Sequence, residues 1–231
     1  MPDILVIDDD SDFVRLVVPL IELRGYDVRV ARTGAMATVM CAERTPDGVL
    51  LDGLLPDTNG MVWLTQFRMT HPQTPVWFVS AFRFAQEAKA HARLTRDLGA
   101  KVLSKPIDVP ALAAQMVTAI PVDDLQLLDD AELIGDLEAE FAAELPEKLA
   151  RLREAVCAFA AQPSEASYQA ALVQAHKLHG SAGMYGLDEL GERAGEVERM
   201  LREGQPGAGE GRVNQALIAT TEAMIASRYA A

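Results

Sequence analysis

Through the first half of the chain, short apolar runs alternate with amphipathic segments. The runs are ILVI (4–7), YDVRVA (26–31), GVLLD (48–52), PVWFVS (75–80) and KVLS (101–104), and apolar residues at helical spacing fall at 12–24, 33–44, 60–70, 84–98 and 108–120. Continuous apolar strands separated by helices predict a parallel sheet covered on both faces, an α/β doubly wound (βα)5 unit. Pro19 lies inside the first helical segment, where it deletes a backbone hydrogen bond and is expected to kink the helix. Beyond IPVDDLQLLDD the strand signals stop. Segments 131–161, 165–185, 188–203 and 212–229 keep the helical period, with Pro163, Tyr185-Gly186 and GQPGAGEG (204–211) at the breaks. An all-α four-helix bundle is expected there, with Pro146 placed to split its first helix. The domain reading is 2–120, a linker at 121–128, and a helical bundle at 129–231.

Composition narrows the classes. The 231 residues are 49% hydrophobic and the mean hydropathy is near zero, as in a folded chain of one or two domains. The opening MPDILVIDDD has no basic stretch leading into an apolar core, and no apolar run approaches the ~18 residues of a membrane span. No membrane association and a cytoplasmic location are therefore expected. Cys41 and Cys157 fall in separate domains, which leaves a disulfide framework or thiolate metal site without support; both are expected on core faces of helices. The formal net charge of −13 is unevenly spread, with 14 acidic against 12 basic residues up to Pro121 and 20 against 9 beyond it. An acidic second half without a basic stripe disfavours nucleic acid and favours a protein partner. GQPGAGEG follows a helix rather than a strand and is flanked or occupied by Glu203 and Glu210, so it reads as a flexible connection and not as a nucleotide loop.

In an open parallel sheet, ligands sit beyond the carboxyl ends of the strands. There the sequence places Asp8, Asp9 and Asp10 after the first strand, Asp52 at the end of the third, Ser80 at the end of the fourth and Lys105 just past the fifth. Carboxylates crowded at one edge resist ionising together and call for a cation; hard oxygen donors with room for water suit Mg²⁺. Asp10 is expected to cap the next helix with Ser11.

With VIDDD, LLDGLLPDTNG, VSA and SKP in this order, residues 2–120 resemble a response-regulator receiver domain, whose fold is flavodoxin-like. The resemblance implies that Asp52 accepts a phosphoryl group, and that Asp8, Asp9 and Asp52 with the backbone carbonyl of Leu54 hold Mg²⁺. It further implies that Ser80 and Lys105 bind phosphoryl oxygens and that the Lys105–Pro106 peptide is cis. Two departures stand out: Val102 occupies the position three before the lysine where receivers often carry an aromatic, and the stretch from Ser80 to Lys105 is a few residues long.

In the second half, AHKLHGSAG (175–183) places two glycines in a helical segment, where each costs roughly 1 kcal/mol relative to alanine. His176, Gly180 and Gly183 are spaced i, i+4, i+7 and share a face, while Ala171, Ala175, Leu178, Ala182 and Tyr185 form the core stripe and leave His176 on the flank, towards solvent or a partner. A neutral imidazole beside small residues is a nucleophile that a shallow phosphorylated site can reach. Residues 125–231 resemble a histidine-containing phosphotransfer (Hpt) domain, with Ala175, His176, Leu178, Gly180, Ser181 and Ala182 matching its A-H-x-L-K-G-S-A pattern. The resemblance implies that His176 is the phosphohistidine, with His179, Gly180 and Gly183 forming the docking face. His179 stands where the family carries lysine, which makes a fixed charge pH-dependent or absent. His176 and His179 as a metal pair lack evident further ligands, and His71 and His91 look like loop and helix-surface residues.

The leading expectation is a two-component phosphorelay protein without a kinase ATP-binding domain, loaded by a sensor or hybrid histidine kinase and exchanging phosphoryl groups with an upstream or downstream response regulator. The rival is a binding module in which phosphorylation of Asp52 changes the exposure of the bundle and His176 is chemically idle.

Overall fold

A computed structural model describes residues 1–80, 92–122, 131–203 and 219–223. The chain divides into two units, Met1–Ile134 and Gly135–Ala231. In the first, five strands, β1 (Asp3–Ile7), β2 (Asp27–Ala31), β3 (Gly48–Asp52), β4 (Val76–Ser80) and β5 (Lys101–Ser104), form one parallel sheet in the order β2-β1-β3-β4-β5. Helices α1 (Ser11–Glu22), α2 (Gly34–Glu43), α3 (Gly60–Thr70) and α4 (Val109–Ala119) connect or follow the strands. The expected helix at 84–98 falls largely outside the described residues; its end is a π-helical turn, Arg93–Asp97.

Strands β1, β3 and β4 are buried along their whole length, which is why their sequences are unbroken apolar runs. Leu5, Ile7, Val49, Leu51, Val76 and Phe78 pack with Trp63, Leu64 and Phe67 of α3 and Ala37 and Cys41 of α2. Each helix start carries its own acceptor. Asp10 caps α1 as expected, and Thr33 caps α2, Asn59 α3 and Asp108 α4, so side chains hold the turns at the carboxyl edge. Helix α1 continues through Pro19.

The second unit contains α5 (Ala131–Ala161) from Gly135 onward, α6 (Glu165–Ala182) and α7 (Asp188–Glu203), with residues 219–223 helical. The rest of the expected helix 212–229, GQPGAGEG and most of the expected linker lie outside the described residues. Pro146 does not split α5. Phe141, Leu145, Leu149, Leu152, Val156 and Phe159 make one buried stripe across it, and burying side chains at about 1.5–3 kcal/mol each outweighs a cost of about 3 kcal/mol for one proline. Cys157 lies one step off that stripe and is exposed, contrary to its expected core position, whereas Cys41 is buried. Helix α6 ends at Ala182, tightens into a 3-10 turn at Gly183–Tyr185, and stops at Gly186, whose φ of 70° is the left-handed conformation glycine adopts at little cost. No helix among the described residues is long and apolar enough to cross a membrane.

At the amino edge of the sheet, buried Asp3 receives Arg29 at 2.5 Å and also Arg44, which in turn meets Asp27 at 2.7 Å. Burial alone would raise the Asp3 carboxyl, but the two guanidinium groups outweigh it and hold it below its usual value. A carboxylate with a depressed folded pKa stabilises the fold above its unfolded value of about 3.9 and loses that contribution as pH falls through the folded value. Asp3→Ala is expected to lower stability by about 2 kcal/mol at pH 7, less than for a fully buried pair because Arg44 is half exposed. The difference from wild type should shrink below about pH 4, as read from urea unfolding across pH.

Candidate functional site

Sheet register assembles the first site. Ile7 of β1 pairs with Leu51 of β3, so Asp8 and Asp52 emerge side by side; Asp52 pairs with Val79, and Ser80 with Ser104, which brings Lys105 to the same edge. Lys105 Nζ stands 3.0 Å from Asp52 Oδ1 and 3.2 Å from Asp8 Oδ2, with all three side chains buried and the ammonium 4.6 Å from the Phe13 ring centroid. The Lys105–Pro106 peptide is cis. The Asp10 N–H donates to Asp8 Oδ1 at 2.8 Å, and the Leu54 N–H to Asp52 Oδ2 at 3.1 Å. Ser80 is buried at the end of β4, and a Cβ built on Gly53 would press on the Phe78 ring at 3.2 Å and reach the Ser80 Oγ at 3.4 Å. At the rim, Arg32 donates to the Asp8 carbonyl at 3.4 Å.

Charge in this pocket is unbalanced. Burial pushes the Asp8 carboxyl up to about 7 against the pull of Lys105, with Asp52 and Asp10 pushing the same way. Burial alone would lower the Lys105 ammonium, yet the charges of Asp8, Asp52 and Asp10 hold it above its ordinary value. One ammonium thus faces several carboxylates. One oxygen from each of Asp8, Asp9 and Asp52 lies within 4.8 Å of the others, and Asp52 Oδ1 meets Lys105 as an ion pair rather than an aligned hydrogen bond. A set of hard oxygens at that spacing, short of positive charge, fits a divalent cation such as Mg²⁺.

The second constellation lies between α6 and α7. His176 Nδ1 is 3.0 Å from Glu198 Oε1, His179 Nδ1 is 2.9 Å from Glu198 Oε2, and Arg202 donates to Oε1 at 2.7 Å. Burial works against the Glu198 charge, but both imidazoles and Arg202 outweigh it and hold the carboxyl well below its usual range. An ionised carboxylate only accepts hydrogen bonds, so both Nδ1 atoms carry hydrogen, and in a neutral ring the lone pair is at Nε2. The His176 side chain is only 13% exposed and its Nε2 is buried, so the ring does not stand on an open flank as the sequence pattern led one to expect. Gly180 is buried. A Cβ on Gly191 would come within 3.3 Å of the Gly183 nitrogen, and one on Gly195 within 2.9 Å of His179 Nε2. The small residues of α6 and α7 therefore let the two helices and their imidazoles approach closely.

Family comparison identifies both units. Residues 4–117 match the response regulator receiver domain model, and residues 136–228 match the Hpt domain model. The chain is a response-regulator receiver followed by an Hpt domain. These are domain types of two-component phosphorelay signalling. The receiver is 34% identical over 117 residues to the transcriptional regulatory protein CpxR of Escherichia coli K12, covering 50% of this chain and 48% of that protein. It is 31% identical over 118 residues to ZraR of E. coli O157:H7, covering 51% of this chain and 26% of that protein. The chain thus spans about half or less of these curated relatives. Among solved structures, a Francisella response regulator receiver domain is 26% identical, with a TM-score of 0.46, 52% of this chain covered and 96% of that one.

Asp8, Asp9, Asp52, Ser80 and Lys105 of the receiver converge on one edge, while Val102 is partly buried against the core beneath α2 and α3. Sequence reading missed Glu198, Gly191 and Gly195. Their signal was present: Gly191, Gly195 and Glu198 are spaced i, i+4, i+7 on α7, mirroring the spacing of His176, Gly180 and Gly183 on α6. Gly60 was missed as well. A Cβ there would sit 2.2 Å from the Asp52 carbonyl oxygen, so only glycine lets α3 begin against that backbone. Because backbone cannot rotate away as a side chain does, Gly60→Ala is expected to cost about 2 kcal/mol of receiver stability in urea unfolding.

Proposed function

We propose that this chain carries phosphoryl groups at two stations, an aspartyl phosphate on Asp52 and a phosphohistidine on His176. The observation that carries the receiver half is Lys105 held between Asp8 and Asp52 with Asp9 alongside. The Asp52 carboxylate attacks phosphorus, an O–P bond forms, and the donor's bond to phosphorus breaks as its leaving group departs. Lys105 and the Ser80 hydroxyl bind the equatorial oxygens, where charge spreads in the transition state. Asp8, Asp9, Asp52 and the Leu54 carbonyl would hold Mg²⁺, which when bound would supply the positive charge that lets an anionic nucleophile meet an anionic phosphoryl group.

At the second station, His176 Nε2 forms an N–P bond while the P–O bond of an aspartyl phosphate breaks, which restores the donor carboxylate. Glu198 accepts from Nδ1–H throughout, keeping the ring in the nucleophilic tautomer and stabilising the positive charge that develops on it. A sensor or hybrid histidine kinase supplies the phosphoryl groups, and a second response regulator exchanges them. The cytoplasm is the compartment of this exchange.

Full-length protein is to be loaded with phosphoramidate and Mg²⁺ and its label sorted by stability, since phosphohistidine is lost in acid and acyl phosphate in alkali. Wild type is expected to show both species, Asp52→Ala only the acid-labile one, and His176→Ala only the alkali-labile one. Label persisting in the double variant overturns the two-station reading. Acyl phosphate alone in wild type overturns its His176 half and leaves the bundle as a binding module.

A further inference from the structure

The Hpt site contains a second imidazole that phosphoryl chemistry at His176 does not use. His179 sits one turn beyond His176 on α6, and both rings meet the same carboxylate, His176 at Oε1 and His179 at Oε2. The His179 ring occupies a slot that exists because residue 195 is glycine. A Cβ at that position would stand 2.9 Å from Nε2, 3.0 Å from Cε1 and 3.1 Å from Cδ2, tight against three ring atoms at once. Arg202 approaches Glu198 through Oε1, the oxygen also used by His176. The other oxygen is held by His179.

We propose that His179, seated on Gly195, is a positioning residue for phosphotransfer: by occupying Glu198 Oε2 it fixes the rotation of the carboxylate, so that Oε1 stays aimed at His176 Nδ1 and Nε2 of His176 remains the nucleophilic nitrogen. The inference rests on the reading of His176 as the phosphoacceptor. A carboxylate bound at one oxygen can turn about its terminal bond, which has a broad torsional well. Bound at both oxygens, it presents one direction to each imidazole. Outer partners that orient metal-ligating histidines change affinity or activity about 10- to 100-fold, and an effect at the low end of that range is expected here.

Gly195→Ala offers an independent handle. Alanine favours the helix by about 1 kcal/mol over glycine, so α7 is not weakened, while its Cβ displaces the His179 ring. His179→Asn is the conservative variant, because its amide nitrogen can occupy the Nδ1 position and donate to Oε2.

The test uses the full chain carrying Asp52→Ala, so that only histidine is labelled, with ¹⁵N NMR of the imidazoles near pH 8 and the rate of labelling by phosphoramidate as two readouts. In that background His176 is expected in the Nδ1–H tautomer. His179→Ala and Gly195→Ala should each give mixed His176 tautomers and about tenfold slower labelling. The two together should be no worse than either alone, and His179→Asn should restore both readouts. An unchanged tautomer or unchanged labelling in His179→Ala overturns the proposal, as does failure of His179→Asn to rescue. Labelling that survives His176→Ala instead retires the reading of His176 as phosphoacceptor, while the tautomer measurement still decides the role of His179.

Discussion

A buried ammonium shared by two carboxylates governs the receiver. Lys105 is almost wholly removed from water, a state that favours the neutral amine unless negative charge stands close by. Asp8 and Asp52 provide that charge, and they stand together because β1 and β3 are neighbours in parallel register. The apolar strand runs therefore do more than form a core: they deliver the carboxyl ends of four strands to one edge. Negative charge remains in excess there even after Lys105 is counted, and that excess suits the edge to a divalent cation.

The Hpt domain solves a related problem with the signs reversed. Glu198 is a buried carboxylate kept ionised by two imidazoles and a guanidinium, and its cost of burial is offset by hydrogen bonds at both oxygens. In each domain a buried ion is satisfied by side chains brought to it from neighbouring elements. Close backbone approach makes both arrangements possible: Gly60 admits α3 against the Asp52 carbonyl, and Gly195 admits His179 against α7.

The sheet, its helices and the residues at its carboxyl edge were legible in the sequence because each rests on a local signal. Apolar runs mark buried strands, and acidic or hydroxyl residues at their ends mark the carboxyl edge of the sheet and its helix caps. The core stripe of α6 was legible for the same reason: Ala171, Ala175, Leu178, Ala182 and Tyr185 keep one period and are all buried. What escaped depends on a second element. Nothing in AHKLHGSAG reveals that His176 and His179 converge on residue 198, because that meeting follows from how α6 and α7 pack. Small residues were read as clearance for a partner when they also serve the approach of a neighbouring helix. Pro146 misled in the opposite direction, its local cost being overridden by the long buried stripe of α5.

The central claim is that the carboxylates around Lys105 form a cation site. Both tryptophans, Trp63 and Trp77, are in the receiver, so tryptophan fluorescence follows its unfolding alone. Unfolding midpoints of wild type and Asp9→Asn are to be compared with and without Mg²⁺ at constant ionic strength. A site in the folded receiver predicts stabilisation of wild type by about 2.7 kcal/mol when Mg²⁺ is at 100 times its dissociation constant, and a much smaller gain in Asp9→Asn at the same concentration. A wild-type midpoint that Mg²⁺ leaves in place, or an equal shift in both proteins, contradicts the account.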